Sequence, residues 1–198
     1  MQDEESINAY PGLTGLEARP EAELIEQVRL GNKNAFRPLV LAYQDKIYSI
    51  IVRQLANDSL AEELTQETFL RAYQNINSFR GESLFSTWIV RIAINLTHSY
   101  YSSKGYKQSV RTEYLDQVKY SEAFSSRQTD SYDSEAIARL KTLASGLSPK
   151  LREVFTLCAF EQKSYKEVAD ILAIPVGTVR SRLHKARLQI KRLYFEEE

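Results

Sequence analysis

Cysteine is nearly absent from this 198-residue chain, Cys158 being the only one. A lone thiol excludes an internal disulfide and suits a reducing compartment. Its neighbours in FTLCAF mark it as a small core residue. Long apolar runs are missing as well; none approaches the ~20 residues that a membrane-spanning helix requires. The opening MQDEESINAY is acidic, without the basic and apolar regions of a signal peptide. These absences predict a cytoplasmic protein with no direct membrane insertion. No P-loop, metal-ligand spacing or nucleophile–base signature is present, so no catalytic residue, cofactor or metal is expected. The two histidines, His98 and His184, stand far apart in sequence, which makes His184 a polar contact or a spectator rather than a metal ligand.

Net charge is the last absence, since 26 Lys and Arg balance 26 Asp and Glu. The balance is one of separated blocks. Residues 1–30, 56–78 and 112–135 are acidic, whereas 31–55, 79–111 and above all 171–195 are basic. Each block presents its own local field, so different blocks suit different partners. Between Asp170 and Glu196 there are six Lys or Arg and no acid.

What is present is helical periodicity, with almost no strand-like alternation. Four helices are predicted near 20–30, 34–55, 60–76 and 84–101. The second is capped by Asn34, with Pro38 in its first turn, and carries the stripe Phe36, Leu39, Val40, Tyr43, Ile47, Ile50 and Ile51. Ser59 to Glu62 reads as a capping box opening the third. Residues 102–135 are polar and aperiodic, as a linker would be. Helical pattern resumes over 135–147. It continues from Ser148-Pro149 to about Gln162, then after a second capping box, Ser164 to Glu167, and again after Pro175. The expectation is an all-α chain of two helical domains, 20–104 and 135–195, joined by a flexible linker at 105–134 and preceded by an extension at 1–19.

YKEVADILAIPVGTVRSRLHKAR has the layout of a helix-turn-helix. Ala169 is small where the helices meet, and Ile174 plugs the turn. Val179, Leu183, Ala186 and Ile190 form one buried stripe. That leaves Thr178, Arg180, Ser181, Arg182, His184, Lys185 and Arg187 facing outward, as donors for guanine edges and phosphates in a major groove. Gly177 removes a side chain where backbone approaches DNA.

In LAEELTQETFLRAY, Leu64 and Phe69 turn to the core, whereas Glu62, Glu63, Gln66 and Glu67 project an acidic face suited to a basic protein surface. In SFRGESLFSTWIVRIAINLTHSYY, aromatic rings alternate with cations, the combination that unpaired bases require. Trp88, Ile92 and Leu96 share a core face, while Phe79 and Phe85 flank the loop and are the stronger candidates for stacking on bases.

QETFLRAYQNINSFRGESLFSTWIVRIAIN followed by LSPKLREVFTLCAFEQKSYKEVADILAIPVGTVRSRLHKAR resembles the extracytoplasmic-function (ECF) sigma factors of the sigma-70 family. The resemblance implies a region 2 and a region 4, without regions 1.1 and 3. It implies that Glu62, Glu63, Leu64, Gln66, Glu67 and Phe69 dock on core RNA polymerase at the β′ clamp helices, with the β flap as a further contact. Phe79, Arg80, Ser83, Phe85, Arg91 and Asn95 would engage the single-stranded −10 element. Thr178, Arg180, Ser181, Arg182, His184, Lys185 and Arg187 would engage the −35 element. Promoter DNA and an anti-sigma factor are the implied further partners, and the linker would thread the polymerase channel. Lys185 stands where relatives often carry Arg, which weakens bidentate guanine readout. Ala173 replaces a frequent turn glycine, and residues 1–19 have no counterpart. Two alternatives stand beside this reading: a helix-turn-helix regulator with an N-terminal sensing or dimerising half, and a helical adaptor without a DNA role.

Overall fold

Glu21 and Glu23 place negative charge in the first turn of α1 (Glu21–Arg29), where the helix dipole favours it. The helix buries Ile25 and Val28 and ends before Gly31, whose φ of 94° is left-handed backbone that glycine adopts without a Cβ penalty. The structure, a computed structural model, describes residues 20–102 and 133–196. The expectations for 1–19 and for most of the linker lie outside the described residues. The described residues form eight α-helices.

A short 3-10 turn, Lys33–Ala35, leads into α2 (Phe36–Leu55). Asn34 therefore lies inside that turn instead of capping the helix, and Pro38 falls in the first helical turn, where a missing N–H is tolerated. All but Val40 of the anticipated stripe is buried; Val40 packs half-buried against the same core. Ala56, at φ 52°, turns the chain back into α3 (Asp58–Gln74). The cap of α3 is Asn57, whose side chain accepts the Leu60 N–H at 2.9 Å. The expected Ser59–Glu62 capping box is corrected: Ser59 is already in the first turn, and the cap position belongs to Asn57. After a 3-10 turn at Ile76–Ser78 and an exposed loop, α4 (Phe85–Ser102) packs against both α2 and α3.

The C-terminal helices are α5 (Asp133–Ser145), α6 (Pro149–Phe155), α7 (Tyr165–Leu172) and α8 (Val176–Glu196). α6 continues through a π-turn, Thr156–Phe160, and stops short of the predicted Gln162. Ser164 caps α7 with both halves of the capping box, its hydroxyl accepting the Glu167 N–H while the Glu167 carboxylate accepts the Ser164 N–H. The chain then turns at Ala173, φ 51°, and α7 packs on α8 through Val168, Ala169 and Ile171. The two helical groups also pack on each other, α4 against α7 and α2 against α5 and α6, and their buried apolar side chains form one continuous cluster.

Candidate nucleic-acid interface

The second helix of the turn motif sorts its residues as the periodicity requires. Val179, Leu183 and Ala186 are essentially sealed and Ile190 is 9 % exposed. Arg180, Ser181, His184, Lys185 and Arg187 lie on the surface, while Thr178 and Arg182 are half-buried at its edge. No acid lies on α8 before Glu196, so the exposed row is cationic along its length. Nothing stands within 4 Å of where a Cβ on Gly177 would sit, so the helix start is open. Ala173 holds the left-handed turn without a glycine, at a local conformational cost.

The aromatic expectation at the 79–88 segment is corrected. Phe79 is 8 % exposed and Phe85 1 %, so neither ring is available to a base in this conformation. They stack edge-on at 5.6 Å, and both contact Trp88, at 5.4 and 5.5 Å. Phe85 also packs on Tyr43 of α2. The three rings form a packed floor. The exposed groups above it are Arg80, Glu82, Ser83 and Leu84, and Arg80 stands 4.0 Å from Glu82. Gly81, at φ 74°, makes the tight bend between them. Arg91 and Asn95, one helical turn apart, are exposed on α4.

Two residues around this loop escaped the sequence reading. Leu84 is 65 % exposed at the loop's end. Arg29, in the last turn of α1, donates to the Phe79 carbonyl and pairs with Glu26 at 3.2 Å, pinning the root of the loop. Leu84 was legible as an apolar residue outside any stripe. Arg29 was not, because its partner is 50 residues away.

On α3, Glu62, Glu63 and Gln66 are exposed and Glu67 is half-buried, bonded to Arg71 at 2.6 Å. Leu64 and Phe69, expected to touch a partner, are 8 % and 7 % exposed. They support the helix from inside, Phe69 packing on Phe36. The apolar group that does share the acidic face is Leu70, 50 % exposed, seven residues after Glu63 and three after Glu67. Among the described residues no cluster of His, Cys, Asp or Glu could hold a metal, and no helix is long and apolar enough to cross a membrane.

Comparison with known proteins identifies the family. The family models described as Sigma-70 region 2 and Sigma-70, region 4 match residues 39–106 and 137–190. The RNA polymerase sigma-H factor of Pseudomonas aeruginosa is 35 % identical over 173 residues, covering 84 % of this chain and 90 % of that protein. The ECF RNA polymerase sigma factor SigW of Bacillus subtilis is 35 % identical over 176 residues, covering 85 % and 93 %. Among solved structures, the sigma factor RpoE of Bartonella quintana in complex with the anti-sigma factor NepR aligns with a TM-score of 0.59 at 22 % identity, covering 82 % of this chain and 98 % of that one. CnrH in complex with the cytosolic domain of CnrY aligns at 0.63 and 21 %, covering 89 % and 97 %. Those two share the fold. With a third of its residues identical to named members over most of both chains, the chain belongs to the ECF sigma factors of the sigma-70 family, which are transcription initiation factors and not enzymes.

Proposed function

We propose that this sigma factor divides initiation between its two helical groups. Residues 20–104 serve as region 2 and 135–195 as region 4, joined by 105–134. The acidic face of α3, with Glu62, Glu63, Gln66, Glu67 and the exposed Leu70, docks on core RNA polymerase. Leu64 and Phe69 hold that face in shape. The Arg80–Leu84 loop, with Arg91 and Asn95, takes the −10 non-template strand. Capture of extruded bases there offsets an unstacking cost of a few kcal/mol per step. Because Phe79 and Phe85 are buried, base selection rests on the loop's backbone, Arg80 and Ser83 above the aromatic floor. Thr178, Arg180, Ser181, Arg182, His184, Lys185 and Arg187 of α8 hold the −35 element.

The observation that carries this reading is the segregation on α8: a sealed apolar stripe behind an uninterrupted cationic row on the second helix of a turn motif. Such a row neutralises backbone phosphates and reaches guanine edges. The solved relatives RpoE and CnrH are bound to NepR and to the cytosolic domain of CnrY. By that likeness an anti-sigma factor is proposed for this chain too, and a cytoplasmic location with it.

Two groups of substitutions separate the surfaces. Changing Arg180, Arg182 and Lys185 together to Ala abolishes −35-dependent transcription with purified core polymerase and leaves core binding intact. Reversing charge at Glu62 and Glu63 weakens core binding first. Loss of core binding in the first set, or unchanged core affinity in the second, contradicts the assignment.

A further inference from the structure

Leu84 breaks two local rules at once. It is 65 % exposed, and it stands directly before α4, where its carbonyl accepts the Thr87 and Trp88 N–H groups at 3.0 and 3.1 Å. That is the capping position, at which Ser, Thr, Asp or Asn would also satisfy an orphan N–H with a side-chain oxygen. Leucine has no such oxygen. A lone exposed leucine elsewhere on the surface would need no explanation. Here it neither joins the packed core nor caps the helix, and residues that break local rules without a local gain gather at functional sites.

The backbone that carries this side chain is held on both counts. Phe85, next in the chain, is sealed against Tyr43, Phe79 and Trp88, and the two hydrogen bonds fix the Leu84 carbonyl. With Phe85 filling the pocket, Leu84 has no way inward. It projects beside the exposed Arg80 and Ser83 of the loop.

Leu84, Trp88, Arg91 and Asn95 follow at intervals of four, three and four residues, which places them on one row of α4. Trp88 is half-buried in that row and the other three are exposed. From Leu84 to Arg91 the row runs about 10 Å at ~1.5 Å per residue, the depth of about three stacked bases at ~3.4 Å each. It is apolar at the loop end and polar beyond. A single strand needs that combination, cations for its phosphates and an apolar surface for its rings.

We propose that Leu84 is a base-contacting residue: its side chain packs on the face of one unpaired −10 base, the place that the buried Phe79 and Phe85 cannot take. The inference rests on the −10 assignment proposed above and adds the apolar contact which that assignment lacked. Leucine is among the side chains that proteins set against unstacked bases. Arg80 and Ser83 meet polar edges and phosphate, while Leu84 removes ring surface from water. Every base has such a face, so the contact adds affinity at one nucleotide without choosing among bases.

The test uses polymerase holoenzyme and a single-stranded oligonucleotide carrying the non-template −10 sequence found by mapping transcript starts. A companion set removes each base in turn, leaving an abasic sugar. Leu84→Ser weakens binding of the intact oligonucleotide by about five- to tenfold, the lower part of the range for loss of one base contact, whereas Leu84→Met stays within about twofold. At one position only, the abasic oligonucleotide binds Leu84→Ser and the unaltered chain equally. Because serine can cap the helix, Leu84→Ser keeps the thermal midpoint or raises it by up to about 4 °C, and core affinity is unchanged. An equal loss at every abasic position, no loss on the intact oligonucleotide, a midpoint that falls with the affinity, or weaker core binding each overturns the contact and leaves the −10 assignment standing. No promoter-specific starts, or an unaltered holoenzyme that binds the −10 oligonucleotide no better than a scrambled one, overturns the assignment and the contact with it.

Discussion

Arg180, Arg182 and Lys185 carry the −35 contacts in this account, and each should be visible as a salt effect. Replacing one cation that holds a phosphate by Ala lowers the slope of log affinity against log salt by about 1, whereas loss of a bidentate guanine contact costs about 1–3 kcal/mol at one base pair only. Binding of polymerase holoenzyme to promoter variants at several salt concentrations tells which cation does which. Lys185→Arg should gain discrimination at a guanine, because the planar fork offers two parallel donors where the ammonium offers a point charge. Arg29 makes a different prediction. Arg29→Ala frees the root of the Arg80–Leu84 loop and should weaken selection among −10 bases while core affinity holds, with Arg29→Lys restoring part of it by supplying one donor to the Phe79 carbonyl. At this scale the sequence was uneven evidence. The outward donors of α8 were readable because Val179, Leu183, Ala186 and Ile190 fix the helix phase. Phe79 and Phe85 were misplaced because loop-flanking position says nothing about the pocket that Tyr43 and Trp88 make for them.

Among the elements, α7 is short, with eight residues, and depends on its ends. Ser164→Ala removes the cap and should destabilise the C-terminal unit by about 1 kcal/mol, measured by denaturant unfolding. Glu167 completes the box: the Lys163 hydrogen bond, aided by the Ser164 backbone and hydroxyl and opposed by burial, holds its pKa down to about 2. Because this value lies below that of the unfolded carboxyl, the stabilisation is full above about pH 4.5 and fades as pH falls toward 2. Unfolding midpoints across that window should fall less steeply for Glu167→Gln. At the other end of α7, Ala173→Gly relieves a left-handed alanine and should stabilise by up to about 1 kcal/mol, offset in part by the freer unfolded chain. The second capping box was legible because Ser164 and Glu167 have no competitor. The first was not, since Asn57 outbid Ser59 from two residues upstream. The π-turn at Thr156–Phe160 had no local signal at all; it aims Phe160 and Glu161 at α2, a need set by tertiary contact.

On the scale of the whole molecule, neutrality is a division of labour. In the proposed reading, cationic α8 serves DNA and acidic α3 serves polymerase. Between the two helical groups, Glu161 and Glu153 from the C-terminal unit neutralise Lys46, Arg53 and His98 from the N-terminal one. The hydrogen bond that His98 donates to Glu153 raises the His98 pKa from its ordinary 6.5, outweighing burial, with their charge attraction adding to it. That pair therefore contributes fully below pH 6.5 and loses its effect as pH rises through the raised value. Thermal melts between about pH 6 and 9 should show the loss, and His98→Gln should flatten it. None of these cross-unit pairs was legible in the sequence, because their partners are separated by 55 residues or more and no periodicity spans the 103–132 segment. The two units themselves were legible, through helix phase and caps.

The division of labour is tested most directly by run-off transcription from genomic templates with purified core polymerase, mapping the starts. With this chain added, starts should cluster behind one recurrent pair of elements spaced as −35 and −10, and should vanish when Arg180, Arg182 and Lys185 are changed together to Ala. A set of starts that the triple change leaves intact, or no promoter-specific start while the free chain alone makes a tight footprint, would contradict it.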